Sequence, residues 1–107
     1  MVDPRTRVIT LSGEVDIVEA RQLSAVFSEA VGDTTREVIV DLRDVTFMDS
    51  TGLGTILKAH ARLRRQGRPM AVVVAPGPVM DLMAMGGLLE QLRVVDSLDG
   101  ARDAVLA

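Results

Sequence analysis

Hydrophobic and polar positions alternate over Arg7-Val8-Ile9-Thr10-Leu11-Ser12, and the run is β-branched, so a strand is predicted there, stopped by Gly13. Asp16 and Glu19 are spaced as a capping box. Behind them Ala20, Leu23, Phe27, Ala30 and Val31 recur at helical spacing, which predicts a helix ended by Gly32. Val38-Ile39-Val40-Asp41-Leu42 is almost continuously apolar, the pattern of a strand covered on both faces. A loop is expected from Arg43 to Asp49, with Val45 and Phe47 packing inward. A second helix is predicted from about Thr51 to Gln66, its apolar side formed by Leu53, Ile56, Leu57 and Leu63. Lys58, Arg62, Arg64 and Arg65 suit the negative end of its dipole, and Gly67 suits the position just past its end. Met70 to Ala75 reads as a third strand, broken by Pro76-Gly77-Pro78. Pro78 then opens a helix carrying Val79, Met80, Leu82 and Met83 as far as Gly86-Gly87. Val94-Val95 is a short fourth strand, and Ser97 caps a last helix through Ala101, Ala104 and Val105.

Strand and helix thus alternate four times with short connections. Right-handed crossovers return each strand beside another, so the fold class is α/β: a small, largely parallel sheet of four to five strands packed with about four helices. No repeat, linker or low-complexity stretch divides residues 1–107, and a single domain is expected.

Composition narrows the function. The 107 residues are 48% hydrophobic and 25% charged, with net charge −3 and no cysteine. A disulfide framework and a cysteine-based metal site are therefore excluded, and the chain is expected to be cytoplasmic. Met1 to Arg7 has no apolar signal-peptide core, and the longest apolar run, Met70 to Ala75, is far too short to span a bilayer, so no membrane association is expected. The acidic balance also argues against nucleic acid, whose binding relies on Lys and Arg at phosphates.

One stretch exceeds what folding requires. Asp49-Ser50-Thr51-Gly52-Leu53-Gly54 lies between the second strand with its loop and the start of a helix, at the carboxyl edge of the sheet, where sites of open α/β folds form. A helix start favours an anion, and Ser50 places a hydroxyl there. Gly52 and Gly54 leave the backbone bare for a partner's close approach. In the plainer reading Ser50 or Thr51 is only the helix cap and the glycines serve tight packing. Two glycines in one helical turn cost about 1 kcal/mol each against alanine, which a cap alone does not need.

The run from Asp41 to Gly54, Asp-Leu-Arg-Asp-Val-Thr-Phe-Met-Asp-Ser-Thr-Gly-Leu-Gly, resembles the signature of the STAS-domain anti-sigma factor antagonists of bacteria. Gly13-Glu14-Val15-Asp16 is similar to that family's Gly-Glu-Leu-Asp element, and Met85-Gly86-Gly87-Leu88 resembles its stretch after the third helix. The resemblance covers about Val8 to Val105. It implies a STAS-like fold and a non-enzymatic switch. The unmodified antagonist binds an anti-sigma factor, itself an ATP-dependent serine kinase, and releases the sigma factor. Phosphorylation ends that binding, and a serine phosphatase restores it. Ser50 is then the acceptor, with Thr51 as secondary candidate, and Asp16, Asp49, Thr51, Gly52, Leu53 and Gly54 form the partner surface. No cofactor is implied for the chain itself. Family members usually carry an additional strand ahead of the Gly-Glu-Leu-Asp element, where only Met1 to Thr6 stand here. Either the start is shortened or a brief edge strand survives, and an uncovered edge leaves monomer and weak homodimer both open.

Other residues carry competing readings. Asp16 is read foremost as a helix cap. Asp49 either orients Ser50, binds the kinase's magnesium, or caps and solvates the loop. Asp41 is read as structural. Ten helical residues at about 1.5 Å each place His60 roughly 13–15 Å from Ser50, too far for a Ser–His pair, so His60 is expected to be partly buried. Met48, Met70, Met80, Met83 and Met85 are expected to fill the core, with Met83 and Met85 alternatively on the partner face. The basic turn from Arg62 to Arg68 is read as a solvated helix end. Two rival functions stay open. One is a STAS-like scaffold or transporter-regulatory subunit without phosphorylation. The other is a nucleotide-binding or hydrolytic enzyme, which lacks a base within reach and has Leu57 where a third glycine belongs.

Overall fold

A computed structural model describes residues 6–32 and 37–106. Its elements are β1 (Thr6–Val15), α1 (Ile17–Gly32), β2 (Glu37–Met48), α2 (Ser50–Arg65), β3 (Met70–Val73), α3 (Pro78–Met85), β4 (Val94–Val95) and α4 (Leu98–Leu106). The four strands form one sheet in the order β1-β2-β3-β4, every pair parallel. The α/β class and the largely parallel sheet therefore stand as expected. Any strand within residues 1–5 lies outside the described residues.

The alternation of side chains along the strands divides the core in two. Ile9, Val38, Val40, Leu42, Met70, Val72 and Val74 face α1, α2 and α3, meeting Leu23, Phe27, Ile56, Leu63, Val79 and Met83. Ile39, Ala71 and Val73 face the other way, onto Ala101 and Val105 of α4. The helical stops also fall where the glycines stand. At the end of α2, Gly67 has φ +68, its N–H donates to the Arg64 carbonyl, and that of Arg68 donates to Leu63. This is the paired closure that a left-handed residue allows. Ser97 caps α4, its Oγ accepting from the Gly100 N–H at 2.9 Å.

Several expectations are corrected. Gly13 does not stop β1. It adopts φ +75 inside the strand, between two register shifts, and the strand runs on to Val15. The segment from Arg43 to Met48 is not a loop but the continuation of β2 along β1, past Asp41↔Val73, the last pair with β3. Phe47 does not pack inward: it is 49% exposed, and Met48 takes the buried position. The cause is in the register. Thr10↔Asp41 is followed by Ser12↔Asp44, and Gly13↔Val45 by Glu14↔Phe47, so β2 carries an extra residue at each step. An extra residue resets the two-residue alternation. Val45 and Met48 are therefore buried, while Thr46 and Phe47 point out. Met83 is fully buried and so cannot lie on a partner face, whereas Met85 is 88% exposed and cannot fill the core. The side chains of Glu19 and Val31 lie outside the described residues.

Candidate functional site

The paired ends of β1 and β2 run beyond the rest of the sheet and deliver the chain to α2. Val15 pairs with Met48, and the Asp49 N–H donates to the Val15 carbonyl at 3.4 Å. Asp49 is extended (φ −95, ψ −179) and is the cap of α2: its Oδ1 accepts the Gly52 N–H at 3.0 Å, and its carbonyl accepts from Leu53 at 3.1 Å. The capping reading of Ser50 and Thr51 is thereby corrected. Both lie inside the helix, at its first two positions, and both are exposed. α2 starts at Ser50, one residue earlier than predicted.

The glycines separate. Gly52 is buried, and a Cβ there would stand 3.0 Å from Val15 Cγ1 and 3.1 Å from Met48 Cγ. It serves contact between helix and strand ends and does not belong to the outer surface. A Cβ on Gly54 would meet nothing within 4 Å, so Gly54 borders open space. Leu53 is half-buried against the core, and Asp16, directly after β1, is exposed beside the start of α2. Asp16, Asp49, Ser50, Thr51, Leu53 and Gly54 thus gather around one corner. Phe47 joins them, three residues before Ser50, and was missed because the bulges of β2 leave no mark in the hydrophobic pattern.

The corner is acidic. Glu14 and Asp16 are exposed and Asp49 half-buried. Arg43, the nearest cation in sequence, is drawn back to Asp41: its Nε and NH2 donate to the two carboxylate oxygens at 3.0 and 2.8 Å, and its backbone N–H donates to Oδ1 at 3.1 Å. These bonds hold the Asp41 carboxyl below its ordinary range against the opposing effect of burial. They also tie the point where β2 parts from β3. His60 stands apart from this corner, half-buried on α2 beside a cleft that Arg64 and Arg93 also line. Among the described residues no group of three or more His, Cys, Asp or Glu could hold a metal ion, and no helix is long and apolar enough to cross a membrane.

A four-stranded parallel sheet with an exposed serine at the mouth of its second helix defines a class, and residues 2–101 match the STAS domain. The chain belongs to the STAS-domain family of anti-sigma factor antagonists. It is 32% identical over 91 residues to the anti-sigma F factor antagonist of Paenibacillus polymyxa, covering 84% of this chain and 78% of that one. Among solved structures, an anti-sigma factor antagonist from Mycobacterium paratuberculosis superposes with TM-score 0.90 at 25% identity, covering 100% of this chain and 91% of the other. The Bacillus cell fate determinant SpoIIAA in its phosphorylated form gives TM-score 0.73 at 28% identity, covering 96% and 93%.

Proposed function

We propose that the protein is an anti-sigma factor antagonist controlled by phosphorylation of Ser50. In its unmodified form it binds an anti-sigma factor that is also a serine kinase, and the sigma factor is released. Phosphate on Ser50 ends this binding, and a serine phosphatase reverses it. The chain acts as a cytoplasmic binding module with no catalysis and no cofactor of its own, the ATP belonging to the kinase. A relative of this fold, SpoIIAA, exists in a phosphorylated form.

One observation carries the reading: Asp49 performs the capping, so the Ser50 hydroxyl stands exposed at the first helical position with no structural duty there. Phosphate at that position is compatible with the fold. The first N–H groups of a helix lack intrahelical partners, and the dipole favours negative charge. The change therefore falls on the surface. A phosphoserine adds about −1.5 to −2 charge to a corner already lined by Asp49, Asp16 and Glu14. Burying that charge against a partner costs several kcal/mol unless cations meet it. A loss of about 2–4 kcal/mol weakens binding roughly 30- to 1000-fold, enough to exchange partners.

The test is incubation with the cognate kinase and ATP followed by intact mass and peptide mapping. One phosphate on Ser50 supports the switch, and none returns the protein to the scaffold reading. Calorimetric titration then compares variants. Ser50→Ala binds the kinase like the parent and takes no phosphate, while Ser50→Asp binds it weakly. Equal affinities for the two variants remove the electrostatic account.

A further inference from the structure

The end of the molecule opposite Ser50 holds a second feature that the switch does not use. At the amino edge of the sheet, the last turn of α2, the start of β2, the α3–β4 connection and the end of α4 enclose an open cleft of about 730 Å³. That size lies within the range of small-molecule sites, roughly 300–1,000 Å³. We propose that this cleft binds a small phosphate-bearing molecule, with Arg64 and Arg93 holding the phosphate and Val105 and Leu106 flanking the uncharged remainder.

The two arginines come from different elements, and only one is explained by its own. Arg64 sits in the last turn of α2, where any cation suits the dipole. Arg93 sits in the turn before β4 with φ +50, a left-handed conformation that disfavours an arginine and that glycine or asparagine adopts more cheaply. Its NH1 donates to the Ala104 carbonyl at 3.2 Å, which holds the guanidinium against α4 at the cleft. Arg68 also lines the space, but its two NH groups are committed to Gln66 Oε1 and the Ala30 carbonyl. Of the acidic residues, Glu37 is buried and accepts from Thr6 Oγ1, and Glu90 stands exposed at the rim. His60 lies between the cations, and Arg64 and Arg93 add to burial in disfavouring its protonated form. Three arginines, Arg64, Arg68 and Arg93, thus line the cleft against two carboxylates, Glu37 and Glu90, and the charge around it is on balance positive. The acidic corner around Ser50 is its opposite. Fourteen residues of α2 separate Ser50 from Arg64, about 21 Å at 1.5 Å per residue, so a ligand here and a partner there do not compete for space.

His60 is the only histidine in the chain and reports directly on the site. The experiment titrates the whole protein with sodium pyrophosphate at constant ionic strength and follows His60 ring and backbone amide signals by NMR. Saturable shifts centred on His60, Arg64 and Arg93 are expected, with the His60 midpoint moving up as the anion offsets its cationic neighbours. Arg64→Gln, at an exposed position, and the double variant with Arg93→Gln should each keep a folded spectrum and weaken binding about tenfold or more. Ser50→Asp should bind as the parent does. Shifts that sodium chloride reproduces, that do not saturate, that survive Arg64→Gln, or that centre on Ser50 and Thr51 overturn the proposal. Citrate binding as tightly as pyrophosphate overturns its phosphate preference.

Discussion

The carboxylate of Asp49 accepts the Gly52 N–H at 3.0 Å, and this bond decides what Ser50 is free to do. Loss of a capping side chain costs about 0.5–2 kcal/mol. Asp49→Ala should therefore lower the unfolding free energy by about 1 kcal/mol in urea, whereas Ser50→Ala, exposed and uninvolved in the cap, should stay within about 0.5 kcal/mol of the parent. If Ser50→Ala proves as costly as Asp49→Ala, the hydroxyl is structural and loses its claim as acceptor.

Gly52 and Gly54 stand two residues apart and should respond in opposite directions. A methyl on Gly52 enters space within 3.0–3.1 Å of Val15 and Met48 side-chain carbons, and the Val15 carbonyl lies at 3.3 Å. Overpacking of this kind costs about 1–3 kcal/mol. Gly54→Ala meets open space inside a helix and should stabilise by up to about 1 kcal/mol. Thermal unfolding of the two variants checks both signs. Gly54→Ala should weaken kinase binding all the same, because its methyl stands on the proposed docking surface.

Phe47 is one of two phenylalanines in a chain without Tyr or Trp, stands three residues before Ser50, and about half of it faces solvent. Aromatic side chains concentrate binding energy at interfaces. Phe47→Ser should lower the unfolding free energy by only about 1 kcal/mol, since about half of the ring is already in solvent. In calorimetry against the kinase, the same variant in its unphosphorylated form should lose about tenfold or more in affinity. Unchanged affinity would place the partner elsewhere.

Most of the architecture was readable because it rests on local signals. The near-continuous apolar runs at Val38 and Met70 marked buried parallel strands, and Gly67, Pro78 and Ser97 each sit where cap chemistry requires. What escaped depends on pairing between strands. Gly13 looked like a terminator because the sequence does not reveal that β2 gains two residues on β1 there, and the same bulges turned Phe47 outward. The candidate site was legible as a hexapeptide, but its division of labour was not. Asp49, Ser50 and Thr51 all fit a cap by residue type, and only the backbone geometry selects Asp49.

His60 should make stability depend on pH near neutrality. Its protonated form is disfavoured in the folded protein by burial first, then by Arg64 and Arg93, so its folded pKa lies below the ordinary 6.5. Just below pH 6.5 the unfolded chain binds the proton and the folded chain does not. Unfolding there takes up protons, and stability rises with pH. His60's contribution is accordingly complete above 6.5 and is lost as pH falls from there through the folded value. Asp41 does not confuse the measurement. Arg43 holds its pKa below the ordinary 3.8, and stability tied to it disappears only in strong acid. Urea midpoints should therefore fall between pH 7.5 and pH 5.5 in the parent, and His60→Gln should flatten that slope. A parent slope that persists unchanged in His60→Gln would assign the dependence to another group.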